Sequence, residues 1–216
     1  NPFGFRWKLA PGGEFVNPEA VMVWSNQGLN GMSWQFHALY KNRLARGYWR
    51  DRERPVLINN WEATMFDYVE DDLVRFAQKA QECGIELFVL DDGWFGARNN
   101  DRAGLGDWKP NPAKLPNGIK GLAQRIEGLG MKFGLWFEPE MVNRDSDLFR
   151  AHPDYIIQTP GRTPSHGRNQ FVLDFSRPQV VDEIYNQMYA LLSTAKISYI
   201  KWDMNRSISE CYSASL

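Results

Sequence analysis

Cysteine is nearly missing from this chain: Cys83 and Cys211 are its two thiols, and their positions match neither a metal site nor a disulfide framework. Long-range charge is missing too. With 25 Lys plus Arg against 26 Asp plus Glu, the net charge of -1 gives no pull toward nucleic acid or an anionic membrane. No run of 18 apolar residues marks a membrane span and no signal-peptide pattern marks secretion, so a cytoplasmic protein with no membrane partner is expected. No Gly-rich phosphate loop follows any expected strand, which argues against a nucleotide fold. These absences leave a neutral small molecule as the partner.

What is present is apolar and aromatic. An apolar share of 43% over 216 residues is enough for a real core. Nine Trp, eight Tyr and thirteen Phe bring the aromatic share to 14%; such flat rings serve either a Trp-rich core or the faces of a carbohydrate. The chain begins NPFGFRW, as though in mid-domain, and stops at SISECYSASL with no element completed. It is expected to be a piece of a longer protein.

Residues 1–50 differ in style from the remainder. EAVMVWS at 19–25 reads as a strand, and GLNGMSWQFHALYKNRLARG at 28–47 has helical apolar spacing closed by Gly47, so the segment reads as a connection leaving an upstream domain. From Pro55 onward a repeating rhythm sets in. PVLINN (55–60), IELFVL (85–90), MKFGLWF (131–137) and ISYIKW (197–202) predict strands. Between them, 71–84, 118–130 and 177–193 predict amphipathic helices, the first with Leu73, Phe76, Ala77 and Ala80 inward and the second with Ile119, Leu122, Ile126 and Leu129. FVLDF (171–175) reads as part of an excursion rather than a fifth strand.

Apolar strands separated by helices define an α/β class with a parallel sheet. Every strand ends in polar residues: NNWE, DDGW, FEPE and KWDMNR. A (β/α)8 barrel brings all its C-terminal strand ends to one mouth, whereas an open sheet gathers only those near its switch point. The expectation is therefore a partial, incomplete (β/α)8 TIM barrel over 51–216.

The strand ends carry the chemistry. Asp91 and Asp92 can together hold a polyol through neighbouring hydroxyls, or cap a helix and face solvent. Trp61 and Trp136 can wall a sugar pocket or fill a core. In YIKWDMNR (199–206), alternation puts Lys201, Asp203 and Asn205 on one side and Trp202 and Met204 on the other. Lys201 beside Asp203 is expected to keep that carboxylate ionised, and an anionic carboxylate at an anomeric carbon is a nucleophile; the plainer alternative is a buried Lys–Asp pair. A retaining glycosidase needs a second carboxyl about 5–5.5 Å away, for which Asp91, Asp92, Glu138 and Glu140 are the candidates. The rival enzyme is a Mg²⁺-dependent barrel stabilising an enediolate, separable by EDTA.

LINNWEA (57–63), FVLDDGWFG (88–96), LGDW (105–108), LPNG (115–118), GLWFEPEMV (134–142), HPD (152–154), GRNQFVLD (167–174) and YIKWDMNR together resemble the catalytic region of the glycoside hydrolase family 36 α-galactosidases. The resemblance runs from about residue 20 to about residue 210. It implies that residues 1–50 are the end of an N-terminal β-sandwich with its connecting helix, and that the parent is a retaining α-galactosidase acting on melibiose and raffinose without cofactor or metal. It also implies a parent that is a homotetramer. By motif, Asp203 would be the nucleophile. Asp91, Asp92, Lys201, Asn205 and Arg168 would bind the galactose, Trp61 and Trp136 would pack against it, and Glu138 and Glu140 would be structural. The family's acid/base aspartate lies tens of residues beyond the nucleophile, while this chain ends 13 residues past Asp203. A non-catalytic galactoside-binding fragment, an α-N-acetylgalactosaminidase and a galactosyl transferase are therefore the alternatives.

Overall fold

The computed structural model describes residues 7–209, 212 and 213. The chain forms two compact units, Asn1–Arg54 and Pro55–Leu216. Cys211 and four other residues of the SISECYSASL tail lie outside the described residues.

In the first unit, α1 spans Gly28–Leu39 and widens into one π-helical turn over Tyr40–Leu44, where the Ala45 N–H donates to the Tyr40 carbonyl at 2.7 Å. Gly47 opens a separate 3-10 turn, so the regular helix stops earlier than its apolar spacing predicts. EAVMVWS is not a strand. Residues 19–25 are irregular and Met22 and Trp24 are exposed; a β-branched run becomes a strand only when a neighbouring strand takes up its backbone N–H and C=O groups, and here the Trp24 carbonyl accepts from the Gln35 side chain instead.

The second unit alternates strand and helix as the periodicity predicts. β1 is Leu57–Asn59, followed by the single turn α2 (Trp61–Thr64) and by α3 (Glu70–Glu82). Next come β2 (Leu87–Leu90), α4 (Gly118–Gly128) and β3 (Lys132–Phe137). The excursion holds β4 (Met141–Asn143), α5 (Asp147–Ala151) and β5 (Gln170–Val172), and the chain then returns through α6 (Pro178–Leu192) to β6 (Tyr199–Trp202).

The main sheet runs β1-β2-β3-β6 with every pair parallel, in chain order and without a reversal. Gly134 of β3 leaves no room for a side chain: a Cβ there would come within 2.9 Å of Val89 and 3.0 Å of Tyr199. β4 and β5 pair antiparallel in a sheet of their own, with Val142 opposite Phe171, so FVLDF stands outside the parallel sheet as its sequence context predicts.

The helices bury one stripe each. Leu73, Ala77 and Ala80 of α3, Ile119, Leu122 and Ile126 of α4, and Val180, Ile184 and Met188 of α6 pack toward the sheet at three- and four-residue spacing. All four residues of β2 are buried, as a strand covered on both faces requires. Phe76 and Leu129 are only partly buried at the edges of their stripes. Glu70 joins two crossover helices by accepting from Asn117 and Arg125. Because the four strands are parallel, their C-terminal ends open on one rim of the sheet, where the polar residues lie.

Candidate active site

The rim is built strand by strand. At the end of β1, Asn60 has no exposed surface; its Oδ1 accepts the Asp91 N–H at 2.9 Å and its Nδ2 donates to Thr64 Oγ1 at 2.8 Å. This buried amide sets where the neighbouring strand delivers its carboxylates. Trp61 follows at the first turn of α2, half-buried, its ring edge-on to Phe66 at 5.1 Å.

At the end of β2 both aspartates are buried, and each meets a cation. Asp91 accepts the Asp92 N–H on Oδ1 and the Lys201 ammonium on Oδ2 at 2.8 Å. Asp92 is gripped two-pronged by Arg98, Nε to Oδ1 at 2.9 Å and Nη2 to Oδ2 at 2.8 Å, with both side chains buried. The third nitrogen of Arg98 donates to the Ala103 carbonyl and to Asn143 Oδ1, each at 3.1 Å. Burial, with the charges of Asp92 and Asp91 behind it, raises the Tyr68 phenol well above its ordinary pKa, so its hydroxyl stays neutral and donates to the Asp92 carbonyl.

At the ends of β3 and β6 the donors change character. Asp203 is half-buried. Trp136 Nε1 and Asn205 Nδ2 donate to its Oδ2 at 2.9 and 3.0 Å, and the Met204 N–H donates to Oδ1 at 2.9 Å. Burial alone would raise this carboxyl, but these hydrogen bonds, and to a lesser degree the Lys201 charge, hold it below the ordinary carboxylate range. The anion anticipated from the sequence is present, and its main support is Trp136 and Asn205 rather than Lys201. Trp136 itself is 1% exposed, stacked on Phe95, and fixed from behind by Trp94 Nε1 donating to its carbonyl. Much of the aromatic surplus is thus a wall behind the rim: Trp94, Phe95, Trp108, Trp136 and Phe137 pack on one another.

Arg168 reaches the rim from the excursion and donates through Nη1 to Asn205 Oδ1 at 2.9 Å. It and Asn169 take positive φ values of 51° and 62°, a conformation that costs a non-glycine residue about 1 kcal/mol or more and that collects at functional sites.

Direct contacts therefore link Asp91 to Lys201, Trp136 to Asp203, Asp203 to Asn205 and Asn205 to Arg168. Asp92 is joined to Arg98 instead, and Trp61 to Phe66. Sequence reasoning overlooked Arg98, Asn60 and Asn143, which share no motif spacing with the residues they hold. Among the described residues, no three of His, Cys, Asp and Glu gather as a metal site would require.

A parallel α/β sheet whose strand ends present one hydrogen-bonded anion beside cation-clamped aspartates has the makings of a hydroxyl-rich ligand site. The melibiase family profile matches residues 14–216, and the chain belongs to that family. It is 57% identical to α-galactosidase AgaA of Geobacillus stearothermophilus and 52% identical to α-galactosidase Mel36A of Lactobacillus acidophilus, in each case over all of this chain and 30% of the relative. The crystal structure of the Geobacillus family 36 enzyme superposes with a TM-score of 0.96 at 58% identity, covering 100% of this chain and 30% of that one. A variant of that enzyme crystallised with raffinose superposes at 0.87 with 57% identity, covering 90% and 27%. The chain thus spans under a third of the length of these relatives, and the family 36 resemblance of its motifs is borne out.

Proposed function

We propose that this chain carries the nucleophile and the galactose-binding half of a retaining α-galactosidase, with its four parallel strands forming an arc of a (β/α)8 barrel. The observation that carries the reading is Asp203: a half-buried carboxylate kept anionic by neutral donors at the open rim, in a family whose named relatives are α-galactosidases. In-line attack of Asp203 on the anomeric carbon would form a glycosyl ester, and water would then release galactose with retained configuration. Asp91, Asp92, Lys201, Asn205 and Arg168 would hold the sugar hydroxyls, with Trp61 and Trp136 shaping the pocket. Family relatives crystallised with raffinose and with stachyose support α-galactosides of that type as substrates.

The leaving group needs a proton, and the other carboxylates of the rim are poorly suited to give it. Asp91 and Asp92 have carboxylate oxygens committed to Lys201 and Arg98, and Glu138 is enclosed. We place the acid/base outside the described residues. That feature favours a second reading, a chain that binds galactosides without cleaving natural ones; nitrophenyl galactosides, whose leaving group needs little acid help, would still react slowly.

Azide added to Asp203→Gly in the full-length protein tests the mechanism. It should restore cleavage of p-nitrophenyl α-galactoside with formation of β-galactosyl azide; an α-azide, or hydrolysis undiminished by the substitution, would refute the assignment. A homotetrameric parent and a cytoplasmic setting complete the proposal. The first is checked by light scattering on the full-length protein. The second is in keeping with the exposed free thiol of Cys83; no helix of the described residues is long and apolar enough to cross a membrane.

A further inference from the structure

Glu138, the residue after β3, has no exposed surface and so does not reach a sugar, yet it lies against the segment that carries the nucleophile. A carboxylate buried to that degree ordinarily has a cation beside it. Glu138 makes no ion pair among the described residues; the hydrogen bonds it accepts come from neutral amides, the Asn205 N–H on Oε1 at 2.5 Å and Gln170 Nε2 on Oε2 at 3.1 Å. Burial raises its pKa, and the nearby Asp203 charge adds to the rise against the pull of the Asn205 bonds and of the Arg98 charge, with which Glu138 makes no direct bond.

What this arrangement accomplishes is visible in the chain beyond β6. The last bond tying that strand to β3 is the Asp203 N–H donating to the Phe137 carbonyl at 2.8 Å. After it the backbone leaves the sheet, and Glu138 takes hold of Asn205. Asn205 in turn donates to Asp203 Oδ2 and accepts from Arg168. The second oxygen of Glu138 holds Gln170, which closes the turn carrying Arg168 through paired backbone bonds with Gly167 and accepts from buried Arg206 on its carbonyl. One carboxyl group thus anchors both segments whose side chains meet at Asn205.

We propose that Glu138 is a positioning residue for the nucleophile: by accepting the Asn205 N–H and fixing Gln170, it aims the Asn205 amide at Asp203 and so sets the attack geometry of that carboxylate. The inference rests on Asp203 being the nucleophile. What the site requires of Glu138 is an acceptor rather than a charge. Gln170 Oε1 is buried with no partner, so when an amide replaces the carboxylate, Gln170 can turn over and offer that oxygen to the new nitrogen.

The test uses the full-length protein and p-nitrophenyl α-galactoside. Glu138→Leu, which keeps volume and removes the acceptor, should lower kcat about 100-fold with KM within about threefold, the scale expected of a misplaced reacting group. Glu138→Gln should stay within about threefold of the parent in both. A kcat for Glu138→Leu within threefold of the parent, or a Glu138→Gln loss as large as that of Glu138→Leu, would overturn the proposal. Should Glu138→Leu not fold, the Glu138→Gln result decides by itself, a loss beyond tenfold counting against.

A second measurement separates aiming from general damage. In the Asp203→Gly background the carboxylate to be aimed is gone, so adding Glu138→Leu should leave the azide-rescued rate within about threefold. An equal 100-fold loss there would mean that Glu138 serves the fold and not the nucleophile. Failure of azide to rescue Asp203→Gly alone would instead refute the nucleophile assignment, so the two failures are distinguishable.

Discussion

The ends of β2 and β6 present carboxylates held in opposite ways. Asp92 at β2 is buried with both oxygens on the Arg98 guanidinium, whereas Asp203 at β6 is half-open and held by an indole, an amide and a backbone N–H. A cation neutralises the charge it stabilises and leaves little electron density for attack. Neutral donors keep the anion below its ordinary pKa while leaving its charge unspent. Under the proposed function, the contrast separates a carboxylate that accepts hydroxyl hydrogens from one that forms a bond.

The sharpest way to break that contrast is at Arg98. Arg98→Met strands the Asp92 charge in a site that is nearly dry, and should cost about 3–5 kcal/mol of stability in denaturant unfolding. Pairing it with Asp92→Asn, which removes the stranded charge, should recover most of the loss; a double variant as unstable as the sum of the two single ones would show that the ion pair was not the cause. Lys201 comes next in size. It is about one-third exposed and bonds to Asp91, so Lys201→Met should lower kcat/KM roughly 10- to 100-fold in the full-length protein while costing less stability than Arg98→Met. A change smaller than threefold would remove Lys201 from the site.

How much of this was legible beforehand depends on where the information lies. Leu73, Ala77 and Ala80, or Ile119, Leu122 and Ile126, declare their helices because burial repeats with the helical period. The run YIKWDMNR declared a strand with a polar end, and alternation put Lys201, Asp203 and Asn205 on one side. Lys201, however, finds its hydrogen-bond partner 110 residues away at Asp91, and no local pattern encodes that. Arg98 stands in a Gly- and Asn-rich loop, where an arginine is ordinarily solvated; its burial follows from Asp92, Ala103 and Asn143 arriving from three segments. EAVMVWS failed for the converse reason: strand propensity is local, and the pairing that realises it is not.

The smallest expected effect is also the most specific to Asp203. Trp136→Phe keeps a ring in the aromatic wall but deletes the Nε1 donor, the strongest of the hydrogen bonds that lower the Asp203 pKa. Since that pKa is depressed, the working anion persists as pH falls through the ordinary carboxylate range and is lost only below it. Removing the donor must move the loss upward, so the acid limb of kcat/KM should shift to higher pH, by less than about one unit because Asn205 and Met204 still donate. The rate at neutral pH should fall by less than about tenfold, since the carboxylate is still fully ionised there. An acid limb that stays put, or moves to lower pH, would mean that the group titrating in kcat/KM is not Asp203, and the distinction drawn between the two strand ends would lose its functional half.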